Sequence, residues 1–159
     1  MEKTSGGMIR SRRCFARRVH FSEAARYAAL MFNLSDKSIL VTDDSAIMRM
    51  FLVLNLKRMV KVNITEAVNG IDALSKLKAG KFDLLLTDMN MPEMDGAQLV
   101  RHIRLGLQSD IPIVIITTKG ETRDRELGMS LGANSYLTKP VNPAELIKTV
   151  LKYLSGYRL

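Results

Sequence analysis

An α/β domain built on a parallel sheet, with helices covering both faces, is the fold class this sequence predicts. Two observations predict it. From Lys37 onward, short β-branched apolar runs alternate with segments whose apolar residues recur every three or four positions. Runs such as Leu84-Leu85-Leu86 are also continuously apolar, as strands buried on both sides are. Strands are expected at Ser38–Thr42, Val62–Ala67, Phe82–Thr87, Ile113–Thr117 and Ser135–Leu137. Five helices are expected between and after them. The first is marked by Ile47, Met50, Phe51 and Leu54, and the second by Ala73, Leu74 and Leu77. The third is marked by Leu99, Ile103 and Leu107, and the fourth by Leu127 and Leu131. The last carries Leu146, Ile147, Val150, Leu151 and Leu154. Turn signals at Asn69-Gly70, Ala79-Gly80, Asp95-Gly96 and Gly132-Ala133-Asn134 separate the elements.

A chain of 159 residues holds one domain with a full core, and its 47% apolar and 25% charged content is that of a soluble globular protein. No apolar run approaches the ~20 residues of a membrane span. The longest, Ile111 to Ile116, suits a buried strand and contains Pro112. The single cysteine, Cys14, excludes an intrachain disulfide and fits a reducing cytoplasm.

The net charge of +8 is unevenly placed. Residues 1–34 carry seven Lys/Arg against two Glu, so the basic character belongs mostly to the first fifth of the chain and does not mark the whole domain for nucleic acid. Residues 1–34 therefore read as a basic extension, disordered or loosely helical, with residues 35–159 as the folded domain. Within the extension, Ser22 to Phe32 has good helix formers behind a Ser22 cap, and Met31 would make a natural start. The segment lacks the apolar core of a secretory signal, although its Arg-rich, acid-poor composition is similar to an organelle transit peptide. A docking or targeting role is the alternative to a plain tail.

In open α/β sheets ligands bind beyond the carboxyl ends of the strands. Strand one ends in Asp43-Asp44, strand three in Asp88, strand four in Thr117-Thr118 and strand five in Lys139-Pro140. Three carboxylates, a hydroxyl and an ammonium thus converge on one edge. Carboxylates packed together need a proton or a cation among them, and Mg²⁺ is the oxygen-seeking cation that binds through one or two carboxylates with waters and phosphate. Asp88, ending the central strand, is placed as a nucleophile toward phosphorus. Lys139 could pair with one phosphate oxygen and the Thr117 hydroxyl could donate to another. Singly, each residue reads more simply as a helix cap, a surface charge or a strand residue. Five such groups at the correct ends of four strands make coincidence a poor account.

The stretches ILVTDDS, DLLLTDMNMPEMDG, IPIVIITT and GANSYLTKP resemble the receiver domains of two-component response regulators, over Lys37 to Leu154. The resemblance implies a doubly wound, flavodoxin-like (βα)5 fold with strand order 2-1-3-4-5. It implies that Asp88 is the phosphoacceptor, and that Asp43 and Asp44 help to hold Mg²⁺ together with Asp88 and the backbone carbonyl of Asn90. Lys139 becomes the phosphate-contacting lysine, followed by a cis Pro140. Thr117 becomes the switch hydroxyl and Tyr136 the aromatic that moves inward with it. The signalling face would be helix four, strand five and helix five, at Thr122–Leu131, Asn134–Leu137 and Pro143–Leu154. Thr118 and Lys119 depart from the family pattern and bear on the lifetime of the phosphorylated state. Only Gly156 to Leu159 follow the last helix, so no output domain is expected. The chain then resembles the single-domain, CheY-like type, for which a chemotaxis role is plausible. A sensor histidine kinase or phosphotransfer protein would be its donor and another protein its target. It would be a cytoplasmic monomer that binds no nucleic acid, a phosphoacceptor with self-phosphorylation and self-dephosphorylation chemistry rather than an enzyme.

Three other readings compete. A haloacid-dehalogenase-type phosphatase also uses a strand-end Asp, but needs a second acid two residues on, where this chain has Asn90. A flavin or nucleotide module would want a Gly- or Ser/Thr-rich phosphate loop after strand one, where Asp43-Asp44 would repel phosphate. A receiver that binds its partner without phosphorylation is disfavoured by the complete set of acids and lysine.

Overall fold

The computed structural model describes residues 34–118 and 122–155. The expected helix at Ser22–Phe32, the extension before Leu34, Lys119 and the last four residues lie outside the described residues. Five parallel strands form one sheet: β1 Ser38–Thr42, β2 Asn63–Ala67, β3 Leu84–Asp88, β4 Ile113–Thr118 and β5 Ser135–Lys139, in the order β2-β1-β3-β4-β5. The helices are α1 Ala46–Met59, α2 Gly70–Ala79, α3 Gly96–Arg101, α4 Thr122–Ser130 and α5 Pro143–Ser155. A π-helical turn, His102–Gly106, extends α3. The expected class, order and element sequence are those observed. β1 has the expected bounds, and the other strands are shifted by one or two residues: β2 starts at Asn63, β3 starts at Leu84 and includes Asp88, β4 reaches Thr118, and β5 runs on to Lys139.

Strand alternation sorts the core into two layers even where every residue is buried. Ile39 and Val41, Leu84 and Leu86, Val114 and Ile116, and Leu137 face one side. There they pack with Leu52, Leu56 and Val60 at α1, with the five apolar residues of α5, and with Leu34. Leu40, Leu85, Ile113 and Ile115 face the other, against Ala73 of α2, Leu99 and Val100 of α3, and Ile103. All five α5 positions read from the sequence are buried. The central strands β1, β3 and β4 are almost wholly buried, whereas β2 and β5 at the edges are mixed. That division follows from the order, since only edge strands have one free side.

Two helix faces differ from expectation. In α1 the buried residues are Leu52, Val53 and Leu56, while Ile47, Met50 and Leu54 are exposed, Ile47 at 76%. The helix is apolar nearly all round, so its spacing allows two stripes and does not say which one meets the sheet. In α4, Leu127 is exposed and the only buried residue among those whose side chains are described is Gly128. An added Cβ there would run into the tip of Ile115, so α4 docks through a glycine contact rather than through leucines.

Local capping sets the helix starts. Ser45 accepts from the Met48 amide, and Asn69 from the Asp72 amide. Asp95 and Gln98 form a reciprocal capping box at α3. Arg104, in the π-helical turn, fastens the loops that precede β4 and β5. It donates to the carbonyls of Ser109 at 2.6 Å, Ile111 at 2.8 Å and Gly132 at 3.0 Å, and to Asn134 Oδ1 at 3.0 Å. Gly132 has a φ of 104°, which favours glycine.

The α1 register gives a direct test. Leu52→Ala should cost about 2–5 kcal/mol in urea unfolding. Leu54→Ser, on the exposed stripe, should change stability by less than about 0.5 kcal/mol. Equal large losses would mean that both stripes are covered in the protein.

Candidate functional site

The same alternation that builds the core places the chemistry. Asp43 lies two residues past Val41, Asp88 two past Leu86, and Lys139 two past Leu137, so all three continue the side of the sheet that faces α1 and α5. Thr117 lies two past Ile115 and belongs with Tyr136 on the opposite side. Thr117 pairs in register with Thr138, and Ile115 with Tyr136, so Thr117 and Tyr136 are diagonal neighbours on one face.

Asp43 is fully buried and Asp88 nearly so, while Asp44 is exposed. One carboxylate oxygen from each lies within 4.8 Å of the others. Lys139 donates to Asp43 Oδ2 at 3.1 Å and sits 2.9 Å from Asp88 Oδ1. The other oxygen of Asp43 accepts from the Ser45 amide at 2.8 Å. The expected acids and lysine are therefore brought together. Asn90 is an exposed residue two positions beyond Asp88, and Thr117 is buried at the end of the next strand. Tyr136 is half-buried, and the Lys139-Pro140 peptide is cis.

Burial pushes the Asp88 carboxyl above the usual carboxylate range. The hydrogen bond and charge of Lys139 pull it down, and Asp43 adds to the rise. Burial alone would lower Lys139, but its hydrogen bonds to Asp88 and Asp43 outweigh that and hold the ammonium above its ordinary value. The partners differ because the acid is the more deeply buried, its side chain 7% exposed against 21% for the lysine. Lys139 stays charged without fully compensating Asp88. Three oxygens this close, with two of the acids buried and one ammonium bridging those two, fit as ligands of a small hard cation.

Two contributors were not legible as such in the sequence. Gly96 donates its amide to the Met89 carbonyl, and a Cβ at this position would collide with the Asp88 carbonyl oxygen, so only glycine lets α3 begin against the Asp88 backbone. The Asp-Gly pair marks a helix start but not this closeness. Arg49 donates to the carbonyls of Asp43 at 2.8 Å and Asp44 at 3.2 Å and pairs with Glu66 of β2 at 3.3 Å. It fixes the acidic loop through its carbonyls, leaving the carboxylates free to face the site. In the sequence it is one of many basic residues.

A doubly wound sheet with acids and a lysine gathered at its carboxyl edge is the arrangement to set beside known proteins. The model of the response regulator receiver domain matches residues 39–151. Chemotaxis protein CheY1 of Helicobacter pylori is 37% identical over 120 residues, covering 74% of this chain and 96% of that protein. The chemotaxis response regulator CheY4 of Vibrio cholerae superposes with a TM-score of 0.68 at 31% identity, over 74% of this chain and 98% of that one. A response regulator receiver protein from Pseudomonas putida gives 0.69 at 29% identity, over 74% and 97%. This chain belongs to the response regulator receiver family and is a CheY-like receiver domain of two-component systems.

The Asp88 electrostatics predict a pH-dependent stability difference in metal-free protein. A carboxyl raised in the folded state disfavours folding once it ionises, so Asp88→Asn should be more stable than wild type above the folded pKa of Asp88. The gain should shrink as pH falls through that value and vanish below the unfolded value of about 3.9. Urea unfolding in EDTA at stepped pH checks it, and a variant less stable at neutral pH would mean that the ion pair outweighs burial.

Proposed function

We propose that this chain is a response regulator receiver that takes a phosphoryl group on Asp88 from a sensor histidine kinase or phosphotransfer protein. The observation that carries the reading is the Lys139 ammonium bridging Asp43 and Asp88, with Asp44 beside them, at the carboxyl edge of the sheet. Mg²⁺ would be held by Asp43, Asp44, Asp88 and the Asn90 carbonyl, and when bound it neutralises the charge that gathers during transfer. An Asp88 oxygen attacks phosphorus, and the new O–P bond forms as the bond to the donor's leaving atom breaks. Lys139 pairs with a phosphoryl oxygen and Thr117 donates to another. Thr117 is drawn toward the site, Tyr136 follows, and the face of α4, β5 and α5 is altered for a protein target.

The reading is that of a signalling module, with self-phosphorylation and self-dephosphorylation as its own chemistry. The likeness to proteins named for chemotaxis supports a role of that kind. Among the described residues no helix is long and apolar enough to cross a membrane. Action as a cytoplasmic monomer that binds no nucleic acid completes the proposal, with residues 1–34 as an extension to a receiver domain at 35–159.

Intact mass after treatment with acetyl phosphate and Mg²⁺ tests the chemistry. A single phosphoryl adduct should form in wild type and be lost in Asp88→Asn or in EDTA. An adduct that persists in Asp88→Asn would place the acceptor elsewhere.

The switch has its own test. Thr117→Ala should still accept phosphate but lose about 1–3 kcal/mol of the coupling between phosphorylation and target binding, since one charge-assisted hydrogen bond is removed. Full phosphorylation-dependent affinity in that variant would rule out the Thr117 route.

A further inference from the structure

Tyr136 does not sit alone on its half-exposed edge strand. The guanidinium of Arg125, from α4, lies 3.8 Å from the centroid of its ring. The side chain of Tyr136 packs from the α2–α4 side of the sheet, in register with Ile115, and Ile115 is the residue against which Gly128 of α4 is pressed. Among the α4 residues whose side chains are described, all but Gly128 are exposed. The helix thus meets the sheet through a glycine contact and an arginine laid on an aromatic. An element held by so little buried apolar surface belongs to the least stable part of a fold.

We propose that Arg125 is a positioning residue that latches Tyr136 in its outer position. The inference rests on the reading of Tyr136 as the aromatic that turns inward when Asp88 carries a phosphoryl group. A cation over a ring face is attracted by the ring's quadrupole, and that attraction is lost when the ring leaves. On this proposal the contact belongs to one of the two states only, and a contact of that kind biases the equilibrium between them. The latch opposes phosphoryl binding, and by linkage phosphoryl binding opposes the latch. An exposed stack of this kind corresponds to a shift of roughly two- to fivefold in the equilibrium.

The test uses the full chain carrying 3-fluorotyrosine, with the Tyr136 fluorine resonance assigned through Tyr136→Phe. Wild type without and with saturating beryllofluoride and Mg²⁺, a non-covalent phosphoryl mimic, defines the two ends of the scale. Arg125→Ala should move the unliganded resonance toward the saturated end and tighten beryllofluoride binding roughly two- to fivefold. Arg125→Met, which keeps an apolar stem without charge, should behave like Arg125→Ala, and Arg125→Lys should fall between Arg125→Ala and wild type. A wild-type resonance and affinity in Arg125→Ala would overturn the latch, as would full restoration by Arg125→Met. If beryllofluoride binds wild type yet leaves the Tyr136 resonance unmoved, the switch role of Tyr136 fails and the latch fails with it.

Discussion

Two buried carboxylates at the ends of neighbouring strands are the constraint on which the rest of this domain depends. Asp43 and Asp88 share one side of the sheet edge with Asp44 close by, and their mutual repulsion in a partly dry setting has to be offset. The offset comes from Lys139, which follows Asp43 by 96 residues in sequence. Because β4 lies between β3 and β5, the lysine must reach past the end of a strand, and neighbouring strands are about 4.8 Å apart. A long flexible stem with a compact charge suits that reach. The strand order therefore does electrostatic as well as architectural service. Any order that left β5 beyond β2 would leave Asp88 without its cation.

The two helical layers differ in how firmly they are held. On one side α5 buries five apolar residues and α1 three, enclosing the layer that also backs Asp43, Asp88 and Lys139. On the other, α2 and α3 are anchored by caps and by the glycine contacts at Gly70 and Gly96, while among the described side chains α4 meets the sheet through the Gly128 approach and the Arg125 stack. Such a division suits a site that must keep its acids in register while something nearby moves. The more deeply packed layer backs Asp88 and Lys139, and the more lightly packed one holds α4, one part of the face proposed to meet a partner.

Much of this was legible in the sequence because the strands are short, continuous and punctuated. The residue ending each strand could be read directly, and a parallel sheet puts those ends on one edge whatever the helices do. α5 was legible to the residue because its polar face leaves one apolar stripe. α1 was not, since Ile47, Met50 and Leu54 compete with Leu52, Val53 and Leu56 and only the sheet decides between them. Arg49, Gly96 and Arg125 were invisible for a different reason. Each acts through a contact between elements, a carbonyl held, a backbone approached or a ring covered, and no local spacing announces such contacts.

The placement of these residues on two sides of the sheet bears on how, in the proposed function, a charge on one side would be felt on the other. Asp88 and Lys139 sit on the α1–α5 side, whereas Thr117 and Tyr136 sit on the α4 side. A side chain in the middle of a strand could not pass between these layers, because the sheet itself is in the way. At the carboxyl edge the strands stop, and Thr117, next to the last residue of β4, adjoins both. In the proposed switch, a small hydroxyl at that position would turn toward oxygens added on Asp88 without breaking a strand pairing, and the space it vacated would lie on the face where Tyr136 stands. Transmission by the proposed switch would therefore need no movement of the sheet. It needs a short polar side chain at the strand end, a ring able to follow it, and a helix packed lightly enough to respond.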